Sequence, residues 1–492
     1  MVNRRLLAAL AWGPMLTQAT ELNEAEFSSV ITKDVAIVGG GASGSYAAVR
    51  LREDFGRSVV IIEAKNYLGG HVATYNDPVT GGAYDYGVNS YVDTGGARAF
   101  FERMGVATAS PTRVTRTNVY ADFRTGEPVP GWISPNNSAA LETYLQLCLK
   151  YKDMMLPDYS KFPTGDTIPE ELLIPFGEFV ARHGIEAALP IIFQIAGMGT
   201  GGNMLKLPTL YMMQAFGASM VMALRPATGL GFVPASRNNS QLYGNIASLL
   251  GSDVLYSSRV EQAERPACPS PSSCSSSSRG VKLVVRRADG TKVLVKAKRL
   301  LVAFEPTLPA LEGLEVDAEE RAVFGRWKTS RAYVGIVTHP ALPPAVSIIN
   351  TPVESAPDHY LVDLQGPYVV RYEHYGAPSN LYRVLMMGND SFTAEQARAL
   401  TQTSFDKLVA SGVVPANTTQ QPVTFKAFSD HRQMHLHFSR EELKAGFIQQ
   451  QYALQGHRLT FYTGAAWTAQ FTNAVWTFTD TILPRVVEGL KA

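Results

Sequence analysis

Cysteine is scarce in this chain, with three residues in 492. No spacing of cysteine and histidine suggests a metal site, so we predict none. Cys268 and Cys274 flank a loop rich in proline and serine, and they could pair in an oxidising compartment. Cys148 would then be left over, and we expect it to be a small buried apolar residue.

Excess charge and long apolar runs are lacking as well. The formal net charge is +1, so nothing indicates a nucleic acid or an acidic membrane surface as a partner. Beyond the N-terminus, no apolar run is long enough to span a membrane. A hydrophobic content of 46% with 18% charged residues is typical of a globular protein with a large core, and 492 residues predict two or more domains.

The N-terminus is typical of a secretory signal peptide, which we predict over residues 1–19. It has a charged region at Arg4 and Arg5, then a short apolar region and small residues for cleavage. The alternative is a frayed N-terminal arm. Four glycosylation sequons agree with a secreted, extracellular glycoprotein: Asn136, Asn238, Asn389 and Asn417.

The strongest local pattern runs over residues 33–74. A short apolar run precedes a match to G-x-G-x-x-G, a helical pattern follows, and a second apolar run ends at Glu63. This predicts a βαβ unit that binds a dinucleotide, the alternative being a chance glycine turn. Gly39 would permit the tight turn, Gly41 the approach of the pyrophosphate, and Gly44 close packing of the helix on the strand. Glu63 would accept hydrogen bonds from a ribose, which disfavours NADP.

A second glycine pair, Gly69 and Gly70, follows directly after this unit. A nicotinamide dehydrogenase has no need of it. A longer cofactor lying across the backbone would explain the pair, because glycine lets the chain pass close to a ligand. The alternative is an ordinary Gly-Gly turn.

The middle of the chain suggests a core and a pocket. Residues 191–224 are rich in methionine and aromatic residues and carry one charge before Leu224, at Lys206. This segment could be a buried helical core, the lining of a pocket for an apolar substrate, or both. Residues 330–385 alternate as in an antiparallel sheet, where Tyr360 and Tyr372 could line the pocket or serve only in packing.

The C-terminal segment combines a strand at 459–463, a turn of small residues at 464–467 and a helix that ends near Leu490. With the two glycine motifs, this segment resembles the flavin-containing amine oxidase superfamily, whose C-terminal motif closes over the flavin. Within the superfamily the chain resembles secreted fungal members similar to β-cyclopiazonate dehydrogenase, and more distantly the polyenoic fatty acid isomerases.

The resemblance implies an α/β fold: a Rossmann-like FAD-binding domain with an inserted α+β substrate domain, as in amine oxidases and p-hydroxybenzoate hydroxylase. The FAD-binding domain would comprise residues 33–110, 236–310 and 441–492. The substrate domain would comprise residues 111–235 and 311–440.

The resemblance also implies which residues bind FAD. The ADP and pyrophosphate would be held by one set of residues: Gly39, Gly41, Ala42, Ser43, Gly44, Glu63, Ala64, Gly69, Gly70 and His71. Others would lie at the adenine and the flavin: Val260 at the former, and Gly464, Ala465, Trp467 and Val475 at the latter. Tyr67 and His71 replace the usual arginines, so the pyrophosphate loses cationic partners and an amine substrate is not assumed.

Three residues are candidates for catalysis: Tyr462, Trp467 and His435. Asn473 and Trp476 could shape the flavin end. His435 lies in a cluster with His431 and His437, where covalent members of the superfamily attach the flavin. A histidine could attack the flavin 8-methyl group, or these could be hydrogen-bonded or surface histidines.

We therefore predict a secreted FAD-dependent oxidoreductase that removes a hydride from a small apolar substrate, with O2 as the acceptor. One alternative is a redox-neutral, FAD-dependent isomerase of double bonds in polyunsaturated fatty acids. Another is a non-catalytic binding protein with a flavin-enzyme fold.

Overall fold

The computed structural model describes residues 23–112, 114–201, 204–268, 273, 280–356, 360, 364–416 and 421–490. The predicted signal peptide, the sequon at Asn417 and Cys274 lie outside these residues. Cys268 is disulfide-bonded. Cys148 is free and buried, as expected, and burial raises the pKa of its thiol to about 12.

A seven-stranded sheet forms the first layer. Its strands are β1 (Ser29–Val38), β2 (Val59–Ile62), β9 (Val254–Leu255), β10 (Ser258–Glu264), β11 (Val281–Arg287), β12 (Lys292–Val302) and β18 (Thr460–Tyr462). Strands β18, β12, β1, β2 and β9 are parallel neighbours, and β11 and β10 extend the sheet in antiparallel fashion. Strand β2 and residues 35–37 of β1 consist of buried valine, isoleucine and alanine, because both faces of a parallel sheet are covered.

Strand β12 is continuous, although the sequence predicts two strands, at 292–297 and 299–304. Its first half pairs with β11, and its second half pairs with β18 from the C-terminus. Conversely, the strand predicted over 254–260 is divided into β9 and β10, because Ser257 adopts a positive φ of 48° between them.

A second sheet of six strands carries the inserted region. It comprises β7 (Thr117–Ala121), β13 (Lys328–Thr338), β14 (Val346–Asn350), β15 (Tyr368–His374), β16 (Tyr382–Gly388) and β17 (Thr424–His437). The order is β17-β13-β16-β15-β14-β7, antiparallel except for β7 on β14. The alternation of residues 330–385 predicts three of these strands, at 333–338, 368–372 and 382–386, and they correspond to β13, β15 and β16.

Shorter strands complete the β structure. A hairpin of β3 (Thr74–Asn76) and β4 (Ala83–Asp85) follows the second glycine pair. A three-stranded sheet contains β5 (Tyr91–Val92), β6 (Thr108–Ala109) and β8 (Gly231–Pro234).

Fourteen α-helices are found among the described residues. Those before β9 are α1 (Ala42–Glu53), α2 (Ala97–Arg103), α3 (Ser138–Met155), α4 (Glu170–Leu173), α5 (Phe176–His183), α6 (Leu189–Ile195), α7 (Thr209–Ala215), α8 (Ala218–Ala223) and α9 (Ser240–Leu250). The later ones are α10 (Ala318–Phe324), α11 (Ala394–Ala410), α12 (Arg440–Lys444), α13 (Phe447–Ala453) and α14 (Thr472–Val487). The helix predicted over 393–411 is α11, which Thr393 and Gln396 begin with a capping box.

Three hydrophobic clusters are found among the described residues, and the two larger ones organise these layers. The larger one joins the seven-stranded sheet to α1, α14 and the helices of residues 138–223. The smaller one lies between the six-stranded sheet and α11. The boundaries predicted for the two domains stay a prediction. No described helix has the length and apolarity to cross a membrane.

Candidate active site

The first glycine motif lies between β1 and α1, where backbone crowding explains two of its glycines. Gly39 has a φ of 101° and turns the chain sharply. A Cβ on Gly44 would lie 1.9 Å from the carbonyl oxygen of Gly39 and 3.0 Å from Cβ of Ala303. Only glycine therefore lets α1 pack this closely on the sheet.

Helix α1 offers its N-terminus to a ligand. Gly41 is the residue before the helix, and no side chain among the described residues caps it. A Cβ on Gly41 would meet only Gly70 Cα within 4 Å, and one on Gly464 only the Ser43 hydroxyl. Free N–H groups at an uncapped helix end beside open backbone are a site for a phosphate group.

Glu63 holds the glycine motif in place. Its carboxylate accepts hydrogen bonds from the backbone N–H of Gly40 at 2.6 Å and of Lys65 at 2.7 Å. The side chain is buried. A carboxylate has about four acceptor positions, so Glu63 keeps capacity for the two hydroxyls of a ribose. Ala64, beside it, is partly exposed.

The second glycine pair packs directly on the first motif. The N–H of Gly69 donates to the carbonyl of Gly40 at 2.8 Å, and Gly70 has a φ of 59°. A Cβ on Gly70 would lie 2.9 Å from Gly41 Cα. Lys65 Nζ donates to the Gly70 carbonyl at 2.8 Å. Sequence reasoning missed Lys65 as a cation here, although its position two residues after Glu63 could have indicated it.

The C-terminal segment meets the βαβ unit. Strand β18 pairs with β12, and the N–H of Thr463 donates to the Val302 carbonyl at 2.9 Å. In α14, the indole N–H of Trp476 donates to the Ala42 carbonyl at 2.9 Å. Its ring stacks on Tyr46 with centroids 5.1 Å apart. The two ends of the chain therefore form one structure around the start of α1.

Two β-bulges in β17 redirect His431 and His435. The pairing of β13 with β17 shifts between Asp430 and Arg432, and again between Met434 and His437. His435 itself has a φ of 52°, an unfavourable value for a residue with a Cβ. Bulges and left-handed residues are frequent beside active sites, where they aim a side chain.

The redirected histidines are neutral. His431 stacks on His71 from the second glycine loop, with centroids 4.5 Å apart. Burial lowers the pKa of both rings. Nε2 of His431 has no hydrogen-bond partner within the part of the chain that the structure describes. The pair thus joins the two sheets through uncharged rings.

His435 lies at the wall of a cavity of about 30 Å³. Burial, and then the neighbouring His437, lower its pKa to about 3. Its Nε2 lies 2.6 Å from Nε2 of Gln470. Since an amide nitrogen only donates, this ring nitrogen is the acceptor. The same cavity is lined by His71, Glu305, Ala465 and Thr468, so the structure brings His71, His435 and Ala465 together.

Other predicted site residues lie elsewhere. The Tyr462 hydroxyl donates to Glu320 at 2.6 Å, and Glu320 is paired with the buried Arg265. Trp467 is fully buried between Tyr462 and Phe478. Both side chains belong to the core and do not line the cavity, so the structure gives no support to a direct catalytic role.

The remaining candidates are positioned as follows. Tyr372 is buried and donates to the Thr401 carbonyl of α11 at 2.5 Å, so it serves in packing. Tyr360 is partly buried against the larger core. Val260 lies on the edge strand β10, which begins beside Glu63 where the Ser258 N–H donates to the Glu63 carbonyl.

Further along the chain, Val475 is buried in α14. Asn473 donates to Thr94 at 2.7 Å. Nδ1 of His437 lies 2.6 Å from the carbonyl oxygen of His435. Its ring meets Tyr211 edge-on.

These residues fit the ADP half of FAD: a buried carboxylate, an uncapped helix end and facing glycine backbones. The cavity lined by His435, where the flavin ring is expected, has room for about two water molecules at its volume of about 30 Å³. A flavin ring there would require the lining side chains to separate. No group of three or more potential metal ligands is found among the described residues.

The fold and the site define a class: flavin-dependent oxidoreductases with a Rossmann-like nucleotide-binding unit. The family of NAD(P)-binding Rossmann-like domains matches residues 37–104. Two solved structures share the fold. A fatty acid isomerase from P. acnes has a TM-score of 0.66 at 18% identity, covering 92% of this chain and 98% of the other. A putrescine oxidase has a TM-score of 0.60 at 16% identity, covering 93% and 99%.

Two curated relatives extend over nearly the whole chain. The β-cyclopiazonate dehydrogenase of Aspergillus oryzae is 31% identical, covering 95% of this chain and 96% of the relative. The FAD-dependent oxidoreductase oblC of Cochliobolus heterostrophus is also 31% identical, covering 94% and 92%. The chain therefore belongs to the family of β-cyclopiazonate dehydrogenase and related fungal FAD-dependent oxidoreductases. The predicted fold, the predicted family and the prediction of an enzyme are confirmed.

Proposed function

We propose that this FAD-dependent enzyme removes a hydride equivalent from a small apolar organic substrate, with O2 as the electron acceptor, and that it is secreted. Support for the apolar substrate comes from the helices of residues 189–223, whose Met213 and Met220 line a second cavity next to the one that contains His435. One relative is named for β-cyclopiazonate, and we propose a substrate of that kind, a small organic metabolite.

One observation carries the proposal: the C-terminal segment closes on the βαβ unit beside a cavity that contains His71, His435 and Ala465. When bound, FAD supplies the redox chemistry that no side chain of the protein can provide. Glu63, Lys65 and the start of α1 would hold its ADP half. Gly464 and Ala465 would lie near its ring.

His435 remains our candidate for contact with the substrate. Its ring is neutral and held in place, because Nε2 accepts from Gln470 and the ring also hydrogen-bonds the backbone of Ala196. Its lowered pKa makes it a weak base at neutral pH. We therefore propose that His435 positions the substrate by contact and does not act as a base, and we propose no such contact for Tyr462 and Trp467, which are buried in the core.

We also propose that FAD is bound covalently to a histidine. His431 suits it best, since its Nε2 is buried and has no partner among the described residues. The absorption spectrum of the purified protein, before and after acid precipitation, is the test. A yellow supernatant indicates free FAD, and a yellow pellet a covalent bond. A colourless protein would contradict the proposed function.

The acceptor and the reaction type need a second experiment. Stoichiometric formation of hydrogen peroxide during turnover would support O2 as the acceptor. Turnover with an artificial dye but without peroxide would indicate a dehydrogenase that uses an electron acceptor other than O2. A product isomeric with the substrate, formed with no acceptor consumed, would instead indicate the isomerase.

Secretion can be tested on the same preparation. Asn136 and Asn389 are exposed, and Asn238 is partly exposed, so the enzyme expressed with its N-terminus in a fungal host should reach the medium with N-glycans. Release of the glycans should lower its apparent mass. Retention in the cells without glycans would contradict secretion.

A further inference from the structure

A second cavity lies next to the one that contains His435. Its volume is about 40 Å³, and its lining includes Met155, Met213, Met220 and Phe471. Lys152 and Leu156 are exposed at its outer end. The two cavities share two lining residues, Gln214 and Ala469. An apolar region therefore leads from the surface to the wall formed by His435.

Gln214 lies at the junction of the two cavities, and of its side-chain amide only the oxygen has a hydrogen-bond partner among the described residues. The buried hydroxyl of Tyr159 donates to Oε1 of Gln214, which fixes the orientation of the amide. Nε2 of Gln214 is buried, and nothing in the described chain accepts its hydrogen bonds. A buried donor without a partner is unfavourable, and such groups in native proteins call for an explanation.

We propose that the two cavities form one substrate passage, and that Nε2 of Gln214 donates a hydrogen bond to a carbonyl oxygen on an otherwise apolar substrate. This inference rests on the proposed function, because it takes the cavity beside His435 as the reaction site. It adds a specificity-determining residue and a chemical feature of the substrate.

Charge favours a neutral carbonyl over an anion. The charged lining residues are Lys152, at the outer end, and Glu305, beside His71. Glu305 lines the cavity taken as the reaction site, so a carboxylate that enters this cavity meets a like charge, whereas a neutral carbonyl does not. The small volumes require the passage to widen, and methionine side chains can repack because they have three rotatable bonds.

The test uses two probes of similar shape, 2-acetylnaphthalene and 2-ethylnaphthalene, in equilibrium dialysis against the purified protein. The wild-type protein should bind the ketone roughly 5- to 150-fold more tightly, the range expected when a buried donor gains or lacks a partner. Gln214→Met should bring the ratio of the two dissociation constants close to one and leave 2-ethylnaphthalene binding within about twofold.

Gln214→Glu tests the hydrogen bond alone, because glutamate has nearly the same shape as glutamine. It keeps an acceptor for Tyr159 and replaces only the donor, so the ketone preference should be lost at pH 8. At pH 5 a buried, protonated carboxyl group can donate, and the preference should return. Gln146→Met, on the exposed side of α3, should retain the wild-type ratio.

Equal binding of the two probes by the wild-type protein would overturn the inference, as would an unchanged ratio in Gln214→Met or no binding of either probe. Different results would contradict the proposed function and this inference. A colourless protein with a ketone preference that depends on Gln214 would keep the site and remove the flavin chemistry. A yellow protein without that preference would remove only this inference.

Discussion

Two glycines inside helices have opposite surroundings. A Cβ on Gly44 in α1 would lie 1.9 Å from the Gly39 carbonyl, whereas one on Gly244 in α9 would meet nothing within 4 Å. We expect Gly44→Ala to lower the free energy of unfolding by about 1–3 kcal/mol through overpacking. Gly244→Ala should raise it by about 0.5–1 kcal/mol, because alanine is the better helix former.

Urea denaturation of both variants beside the wild-type protein measures these differences. The FAD content of Gly44→Ala should also fall, because the N-terminus of α1 must shift. Equal stability of Gly44→Ala and wild type would show that α1 lies farther from β1 than the structure has it.

The histidine at the cavity should make stability depend on pH. Burial lowers the pKa of His435 to about 3, while an unfolded histidine titrates near 6.5. Between these values the unfolded chain binds a proton that the folded one does not, so stability falls as pH decreases. His435→Gln should lose less stability between pH 7 and pH 4, by up to roughly 1.4 kcal/mol per pH unit.

Thermal unfolding midpoints across pH 4–8 provide the measurement. Burial raises the pKa of Asp85 to about 6, so its contribution to stability falls as pH increases through that range. That contribution is common to both proteins and cancels in the comparison. Parallel curves for His435→Gln and wild type would contradict the lowered pKa.

Residue roles were predictable where backbone geometry decides them. The spacing of the motif was sufficient for the turn at Gly39 and the close packing at Gly44, because each acts through its own backbone. The ribose contact of Glu63 stays a prediction. The catalytic role of Tyr462 and Trp467 stays a prediction that the cavity lining does not support, because their motif indicates where the chain passes and not which way a side chain points. Tyr462 turns to Glu320, 142 positions earlier in the chain, and no local pattern shows that pair.

At the scale of elements, α14 is the piece that connects the C-terminus to the nucleotide unit. Trp476→Phe removes the hydrogen bond to the Ala42 carbonyl and preserves an aromatic ring against Tyr46. A hydrogen bond contributes about 0.5–1.5 kcal/mol, so we expect FAD to bind about 2- to 10-fold more weakly. Titration of the FAD-free protein with FAD, followed by flavin fluorescence, measures this.

Trp132→Phe is the matched control for loss of an indole. Trp132 is buried against Tyr120 of β7, with ring centroids 4.2 Å apart. It should lower stability without changing FAD affinity. If both variants bind FAD as wild type does, the contact between α14 and α1 has no part in holding the cofactor.

The sequence predicts regular elements better than their irregularities. The apolar run and the glycine motif predict strand β1 and helix α1, and helix α11 lies where the sequence predicts a helix. The bulges of β17 do not, since an extra residue in a strand is defined only against its partner, here β13. His431 and His435 alternate with apolar residues as on a regular strand, and the pairing alone shows that both are redirected.

At the scale of the whole molecule, the two cores differ in their relation to the cofactor. The larger core contains α1, β18 and α14, which surround the proposed FAD site. The smaller core lies between the six-stranded sheet and α11 and contains Tyr333, Tyr372 and Phe405. The stacked His71 and His431 connect the glycine loop to the six-stranded sheet.

Removal of FAD should therefore loosen one part of the molecule more than the other. A ligand at 100 times its dissociation constant stabilises the folded state by about 2.7 kcal/mol, which is close to 100-fold in an opening equilibrium. Hydrogen exchange should accelerate by up to this factor in residues 39–46, 69–73 and 460–476. Amides of β15, β16 and α11 should change much less, because their own core remains.

Hydrogen–deuterium exchange with mass spectrometry, comparing the enzyme before and after FAD removal and then after FAD is restored, resolves these peptides. Restored FAD should return protection to the three segments together, since the contact of Trp476 with Ala42 makes them one unit. Acceleration confined to residues 39–73 would mean that the C-terminal segment does not hold FAD. Uniform acceleration in both cores would mean that the enzyme opens as a single cooperative body.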